Sequence, residues 1–237
     1  MQEAQTPLWV WVFISVAMVP AIGAVALLLF AELVRKRPYG RLKQGDLSID
    51  VWGGDWYRAP RADAIVVPVA PDLQMYSPVA KWVRDATAFE VQNQANRVAP
   101  LSQGDAFVGT GGKYRFNMAA LAVVMDDQKR VTGEWVASAI AQAIRKCAEQ
   151  GAQSVVIPDM TEDLLRHPET ISKEQRRQTC EVVAPAVIQG ILRAGSALDH
   201  ALLWVWRTEN REIYLREIQR MGGEVESNPK GLSAAPA

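Results

Sequence analysis

From Leu47 to Met221 the apolar positions of this chain switch repeatedly between short strand-like runs and helical spacing. "LSIDVW" (Leu47 to Trp52) alternates with a period of two, as a strand with unlike faces does. "DAIVVPVA" (Asp63 to Ala70) is apolar almost without a break, which suits a strand buried on both faces. "SPVAKWVRDATAFEVQNQ" (Ser77 to Gln94) opens with a serine cap and a proline in the first turn, then repeats apolar residues at helical spacing. "GDAFVGT" and "YRFNMAALAVVMD" read as two strands joined at Gly111 and Gly112. "TGEWVASAIAQAIRKCAEQG" is an amphipathic helix stopped by Gly151. "SVVIP" is the next buried strand, and "SKEQRRQTCEVVAPAVIQGILRAG" is a helix whose Pro185 predicts a kink or a late start. "DHALLWVWR" is a strand and "NREIYLREIQRMG" a closing helix. The order β-β-α-β-β-α-β-α-β-α, with helical crossovers, predicts a three-layer α/β/α domain around a mixed sheet.

The N-terminal pattern is of another kind. Ala4 to Ala31 carries no charged residue, which as a helix is enough to cross about 30 Å of hydrocarbon. Trp9 and Trp11 stand at one end, where indole rings favour the headgroup layer. A cleaved signal peptide would want a basic leading segment and a shorter apolar core, and "MQEAQTP" holds no Lys or Arg. Arg35, Lys36, Arg37, Arg41 and Lys43 follow the apolar run, so the positive-inside rule leaves the N-terminus outside and the rest of the chain in the cytoplasm. These features predict one uncleaved span of an inner membrane, at about residues 8–34 within an N-terminal segment 1–37. A linker over 38–46, an α/β domain over 47–222 and a mobile tail over 223–237 would follow.

Charge and composition narrow the chemistry mostly by exclusion. Lys+Arg and Asp+Glu balance at 26 each in 237 residues, so nothing argues for nucleic acid as a partner. Cys147 and Cys180 lack metal-ligand spacing and read as reduced thiols rather than a disulfide. His167 and His200 are the only histidines, and they read as a loop residue and a strand-end residue rather than metal ligands. "DMTEDL" has carboxylates but neither the glycine nor the ligand spacing of a calcium loop. "GTGGK" does not complete a phosphate-loop motif and reads as a tight turn. Ser77, Ser138 and Ser154 sit at helix or strand positions and not on a nucleophile elbow. No metal, cofactor or catalytic residue is expected.

Together, "IDVWGGDW" followed by "ADAIVVPVA", "GDAFVGTGG" followed by "AALAVVMD", and "ASAIAQAIRKCAEQGAQSVVIP" resemble the macro domain family, which binds ADP-ribose. "ALLWVWRTENREIYLREI" is similar to that family's last strand and helix, and the likeness runs from about Leu47 to Met221. The resemblance implies an adenine contact at Asp55, in "GGDW", as the one residue that would hold a nucleotide-type ligand. It also implies losses. Ala70 stands where catalytic members carry an asparagine, and Asn93 and Asn96 fall on the wrong side of the helix to replace it. The first phosphate loop becomes "PDLQMYSPVA", without glycine, and Met75 and Tyr76 would crowd a ligand there. The second loop becomes "DMTEDLLRHPE", and a like-charge contact near 4 Å costs about 4 kcal/mol at an effective dielectric of 20.

The expectation is therefore a degenerate macro-like domain behind a transmembrane helix, acting without catalysis as a scaffold or accessory subunit. Its partners would be integral membrane proteins of a larger complex, such as an energy-transducing photosynthetic or respiratory one, and the lipid bilayer. Contact candidates are Trp9, Trp11, Trp204, Trp206 and Gly23, the last with Ala21, Ala24 and Ala26 for close helix packing. The alternatives are a nucleotide or ADP-ribose-type binding module at the membrane and, third, an ADP-ribosyl hydrolase.

Overall fold

The computed structural model describes residues 38–54, 61–111, 116–165 and 170–225. Its strands are β1 (Gly40–Gln44), β2 (Leu47–Trp52), β3 (Ala64–Val69), β4 (Ala106–Thr110), β5 (Met118–Val123), β6 (Ser154–Pro158), β7 (His200–Trp204) and β8 (Glu224–Val225). The helices are α1 (Pro78–Ala86), α2 (Glu90–Ala95), α3 (Gly133–Glu149), α4 (Lys173–Ala194) and α5 (Thr208–Arg220). One sheet takes the order β4-β5-β3-β6-β7-β2-β1-β8. The five central strands, β5 to β2 in that order, run parallel, while β4 and β1 are antiparallel to their inner neighbours.

The unbroken apolar runs are explained by burial on both faces. Ala64 and Val66 of β3 and Ala120 and Ala122 of β5 face a core shared with α3, α4 and α5. Their neighbours Ile65, Val67, Ala119 and Leu121 face a second core under α1 and α2. Alternate residues thus serve different layers, as the period of two requires. On the first face α3 and α4 pack closely at Gly190, where a Cβ would lie 2.6 Å from the Ala137 carbonyl oxygen.

The helix starts follow their sequence signals. Ser77 accepts from the Ala80 amide with Pro78 in the first turn, Thr132 caps α3, and Ser172 forms a reciprocal capping box with Gln175 on α4. The exposed edge of β4 is closed by side chains: Gln94 accepts from the Thr110 amide, and the Lys146 ammonium donates to the Ala106 carbonyl oxygen.

Four expectations change. The linker over 38–46 contains β1, which pairs with β2 from Gly40↔Val51 to Gln44↔Leu47. The first residues of the tail form β8, which pairs Gly40↔Val225 and Arg41↔Glu224, so the domain reaches Val225. The helix expected over Ser77–Gln94 divides at Ala88 and Phe89, which both hold positive φ, of 47° and 64°. That turn lets Val91 and Ala95 of α2 reach the same core as Val83 of α1. Pro185 neither delays nor divides α4; the carbonyl that its missing N–H leaves unbonded, at Glu181, lies on an exposed stretch of the helix. Among the described residues no helix is long and apolar enough to cross a membrane. The span expected at about 8–34, with Trp9, Trp11 and Gly23, lies outside the described residues, as does most of the tail.

Candidate functional site

All five parallel strands point their C-terminal ends to one end of the sheet. Four segments gather there: Gly53 and Gly54 after β2, Pro71 to Ser77 after β3, Asp159 to Leu165 after β6, and Val205 to Arg207 after β7. In open α/β sheets this is where ligands are received.

The loop after β3 is closed on itself. Its amides are donated within the chain: Leu73 to the Ala70 carbonyl, Gln74 to the Asp72 carboxylate, Met75 to Gln92 Oε1 and Tyr76 to the Gln74 carbonyl. Gln92 of α2 also donates to the Leu73 carbonyl oxygen at 3.2 Å and to Asn96 Oδ1 at 2.9 Å. A pyrophosphate cradle needs several amides turned outward together. Leu73 to Tyr76 offer none. Leu73 and Met75 are fully buried, so Met75 fills the place, whereas Tyr76 turns away and is 74% exposed. The expected crowding by Tyr76 is thereby corrected: of the two neighbours the apolar Met75 is buried, and the phenol ring of Tyr76 stays in solvent.

The loop after β6 carries its acids inward. Asp159 is buried and accepts from Asn210 Nδ2 at 2.6 Å, from Thr161 Oγ1 at 2.6 Å and from the Thr161 amide at 3.1 Å. Burial pushes its pKa up, against the pull of Asn210 and Thr161. Glu162 pairs with Arg176 of α4 at 3.2 Å and with Arg207 after β7. Asp163 is 3% exposed, and neither carboxylate oxygen has a hydrogen bond of good geometry. Burial raises its carboxyl to about 7; the Ser77 hydroxyl and Val79 amide pull the other way, and Asp159 and Glu162 add to the rise. With Met160 and Thr161 fully buried as well, the loop is part of the core rather than an open rim.

Two indole donors lie under this end. Trp52 and Trp204 are register partners on β2 and β7, and the Nε1 of each is buried without an acceptor among the described residues. Trp204 is 1% exposed, so it is a core residue and not the contact surface expected of it; Trp206 is half-buried against the same cluster. Ala70 packs on the core beside the Pro71 loop. Asp55, Trp56, His167 and Glu169 lie outside the described residues. Among the described residues no three metal-ligating side chains converge, and both cysteines are buried thiols.

A second charged cluster was not foreseen. Asp50 of β2 is fully buried and accepts from Arg41 Nε at 2.6 Å, from Arg41 Nη2 at 2.7 Å and from His200 Nε2 of the neighbouring β7 at 3.0 Å. Burial alone would raise its carboxyl, but Arg41 and His200 hold it down at about 2. Gln92, Ser77 and Asn210 are the other structural polar residues that sequence pattern did not single out for this end of the sheet.

No protein-family model matches the chain, and comparison with curated proteins finds none that matches it. Solved structures do. A macrodomain of Oceanobacillus iheyensis with ADPR superposes with a TM-score of 0.59 at 13% identity, over 76% of this chain and 97% of that one. A Trypanosoma brucei macrodomain in complex with ADP-ribose gives 0.55 at 12% identity, over 76% and 73%. The macro domain of ganglioside induced differentiation associated protein 2 gives 0.52 at 14% identity, over 76% and 86%. At such identities the likeness speaks for the fold alone. The mixed α/β sheet of this chain is a macrodomain fold.

Proposed function

We propose that the chain is a non-catalytic recognition module that takes the nucleoside end of an ADP-ribose-type ligand, tethered to a membrane by the apolar segment between Ala4 and Ala31. The observation that carries this is the half-buried Trp52 at the C-terminal end of β2, whose indole N–H has no acceptor among the described residues. Buried donors are nearly always satisfied, and a purine or ribose supplies the acceptor it lacks. Fold likeness to macrodomains holding ADP-ribose supports the ligand class. The closed loop after β3 argues that the diphosphate contributes little, and Ala70 in place of the family's asparagine argues against hydrolysis. Calorimetry of the full chain in detergent with adenosine, AMP and ADP-ribose tests this. Adenosine should bind within about tenfold of ADP-ribose, or about 1.4 kcal/mol. A much stronger preference for ADP-ribose would make the diphosphate the recognised group, and no heat with any of the three would remove the reading.

One observation favours a second reading, a scaffold or accessory subunit of a larger membrane complex: Leu73, Met75 and Met160 fill the space that a ligand would need. Gentle detergent extraction and size separation decide it. Co-migration with a defined complex, lost on deletion of residues 1–37, is the supporting result, and a chain that runs alone ends it.

A further inference from the structure

α1 begins in an unusual electrostatic setting. Pro78 has no N–H, and the Ala80 amide is already taken by Ser77 Oγ at 3.3 Å. The Val79 amide is left at the positive end of the helix dipole, and the first turn of α1 contains no acid of its own. Such a terminus favours an anion.

The chain supplies that anion from the β6 loop. Asp163 turns its carboxylate toward Ser77 and Val79, buried and without a well-formed hydrogen bond. The other acids of the loop face elsewhere: Asp159 is held by Asn210 of α5, and Glu162 by Arg176 of α4 and by Arg207. The loop is thus fastened on the α4 and α5 side, and Asp163 is the acid left to face α1. A helix-dipole interaction is worth less than a buried carboxylate without full hydrogen bonding costs. The contact is therefore held by the fastenings of the loop and not by its own strength.

We infer that the β6 loop is the domain's own occupant of the α1 N-terminus: the Asp163 carboxylate keeps the place of a ligand's anionic group, which is received only when the loop moves out. The inference rests on the recognition reading for the nature of the ligand, and it adds a self-blocking contact to that site. An anion arriving at Val79 must displace Asp163, and it then gains a terminus already oriented for it.

The test is calorimetry of inorganic pyrophosphate against the full chain in detergent, with folding checked by circular dichroism. Wild type should bind weakly, and Asp163→Ala and Asp163→Asn should bind at least about tenfold more tightly. Glu162→Gln, which loosens the fastening to Arg176 and Arg207 but keeps Asp163, should gain in the same direction. Glu134→Gln removes a carboxylate paired with Arg193 in the helix layer on the other face of the sheet and should gain nothing. Equal affinity in wild type and the folded variants overturns the inference, as does a gain in Glu134→Gln that matches Asp163→Asn. Should the Asp163 variants fail to fold, Glu162→Gln decides alone, and no gain there overturns it. Adenosine titrated into wild type separates the two ideas. Pyrophosphate gain without adenosine binding leaves the occupant and removes the nucleoside reading, and the reverse result removes the occupant alone.

Discussion

Asp50 and Asp163 are both buried aspartates, and they have opposite environments. Asp50 lies on β2 with a guanidinium fork from Arg41 and an imidazole from His200, and its carboxyl is held at about 2. Asp163 lies beyond the C-terminal ends of the parallel strands with no well-formed hydrogen bond, and its carboxyl rises to about 7. Burial alone therefore does not decide what a buried charge does for a fold. Asp50 is matched and stabilises the β1–β2–β7 edge, whereas Asp163 is a charge the domain would be more stable without. Unmatched buried charge is the pattern expected of groups retained for function and not for stability.

The largest way to sharpen the contrast is Asp163→Asn. A carboxyl raised in the folded state keeps its proton there up to about pH 7, while the unfolded chain loses it near pH 4. Its burden on stability is thus absent below about pH 4, grows between about pH 4 and 7, and is constant above. Urea denaturation should find the variant more stable by roughly 2–4 kcal/mol near pH 8, and equal to wild type near pH 4. A variant less stable at both values would mean that Asp163 is a matched structural charge after all.

Next comes Asp50→Asn, with the opposite sign. A depressed carboxyl stabilises above its unfolded value and loses that contribution as pH falls through about 4 toward about 2. The variant should lose about 2 kcal/mol near pH 7 and nothing near pH 2. Chemical denaturation at the two pH values checks it, and a loss that persists at low pH would assign the effect to packing. Gln92→Ala provides a neutral comparison. It strips the Met75 amide and Leu73 carbonyl of their partner and should cost about 1–2 kcal/mol, with little dependence on pH. The smallest effect is expected from Ser77→Ala, about 1 kcal/mol from the lost cap. It should also move the Asp163 titration upward, readable as a carboxyl shift in NMR, because one of the donors that favour its charged form is gone.

What could be read from the sequence followed from how many faces a segment buries. The runs at Ala64–Val69 and Met118–Val123 are apolar throughout because two cores share them, and the caps at Ser77 and Ser172 fixed their helices from local chemistry. β1 and β8 escaped because they are edge strands: Arg41 and Lys43 interrupt the first, and the second is two residues long. The acids of "DMTEDL" were legible as a replacement for glycine, but not their direction. Facing outward they would repel a phosphate. They turn inward because Asn210 and Arg207 meet them, from 51 and 45 residues away in sequence. His200 shows the same limit, since its partner Asp50 lies 150 residues earlier. Where Met75 and Tyr76 would point was likewise decided by Gln92, which holds the loop from α2.

The pairing of Gly40 with Val225 makes this domain a cassette. The strand that opens it and the strand that closes it are neighbours in the sheet, so the chain enters and leaves at adjacent points. Joining those points by a short linker and cutting a surface loop elsewhere should leave the core intact, which makes the domain a good subject for circular permutation. Pulling on the two ends, by contrast, would load a two-residue strand first, so that β8 and not the parallel sheet would be the first element to give way.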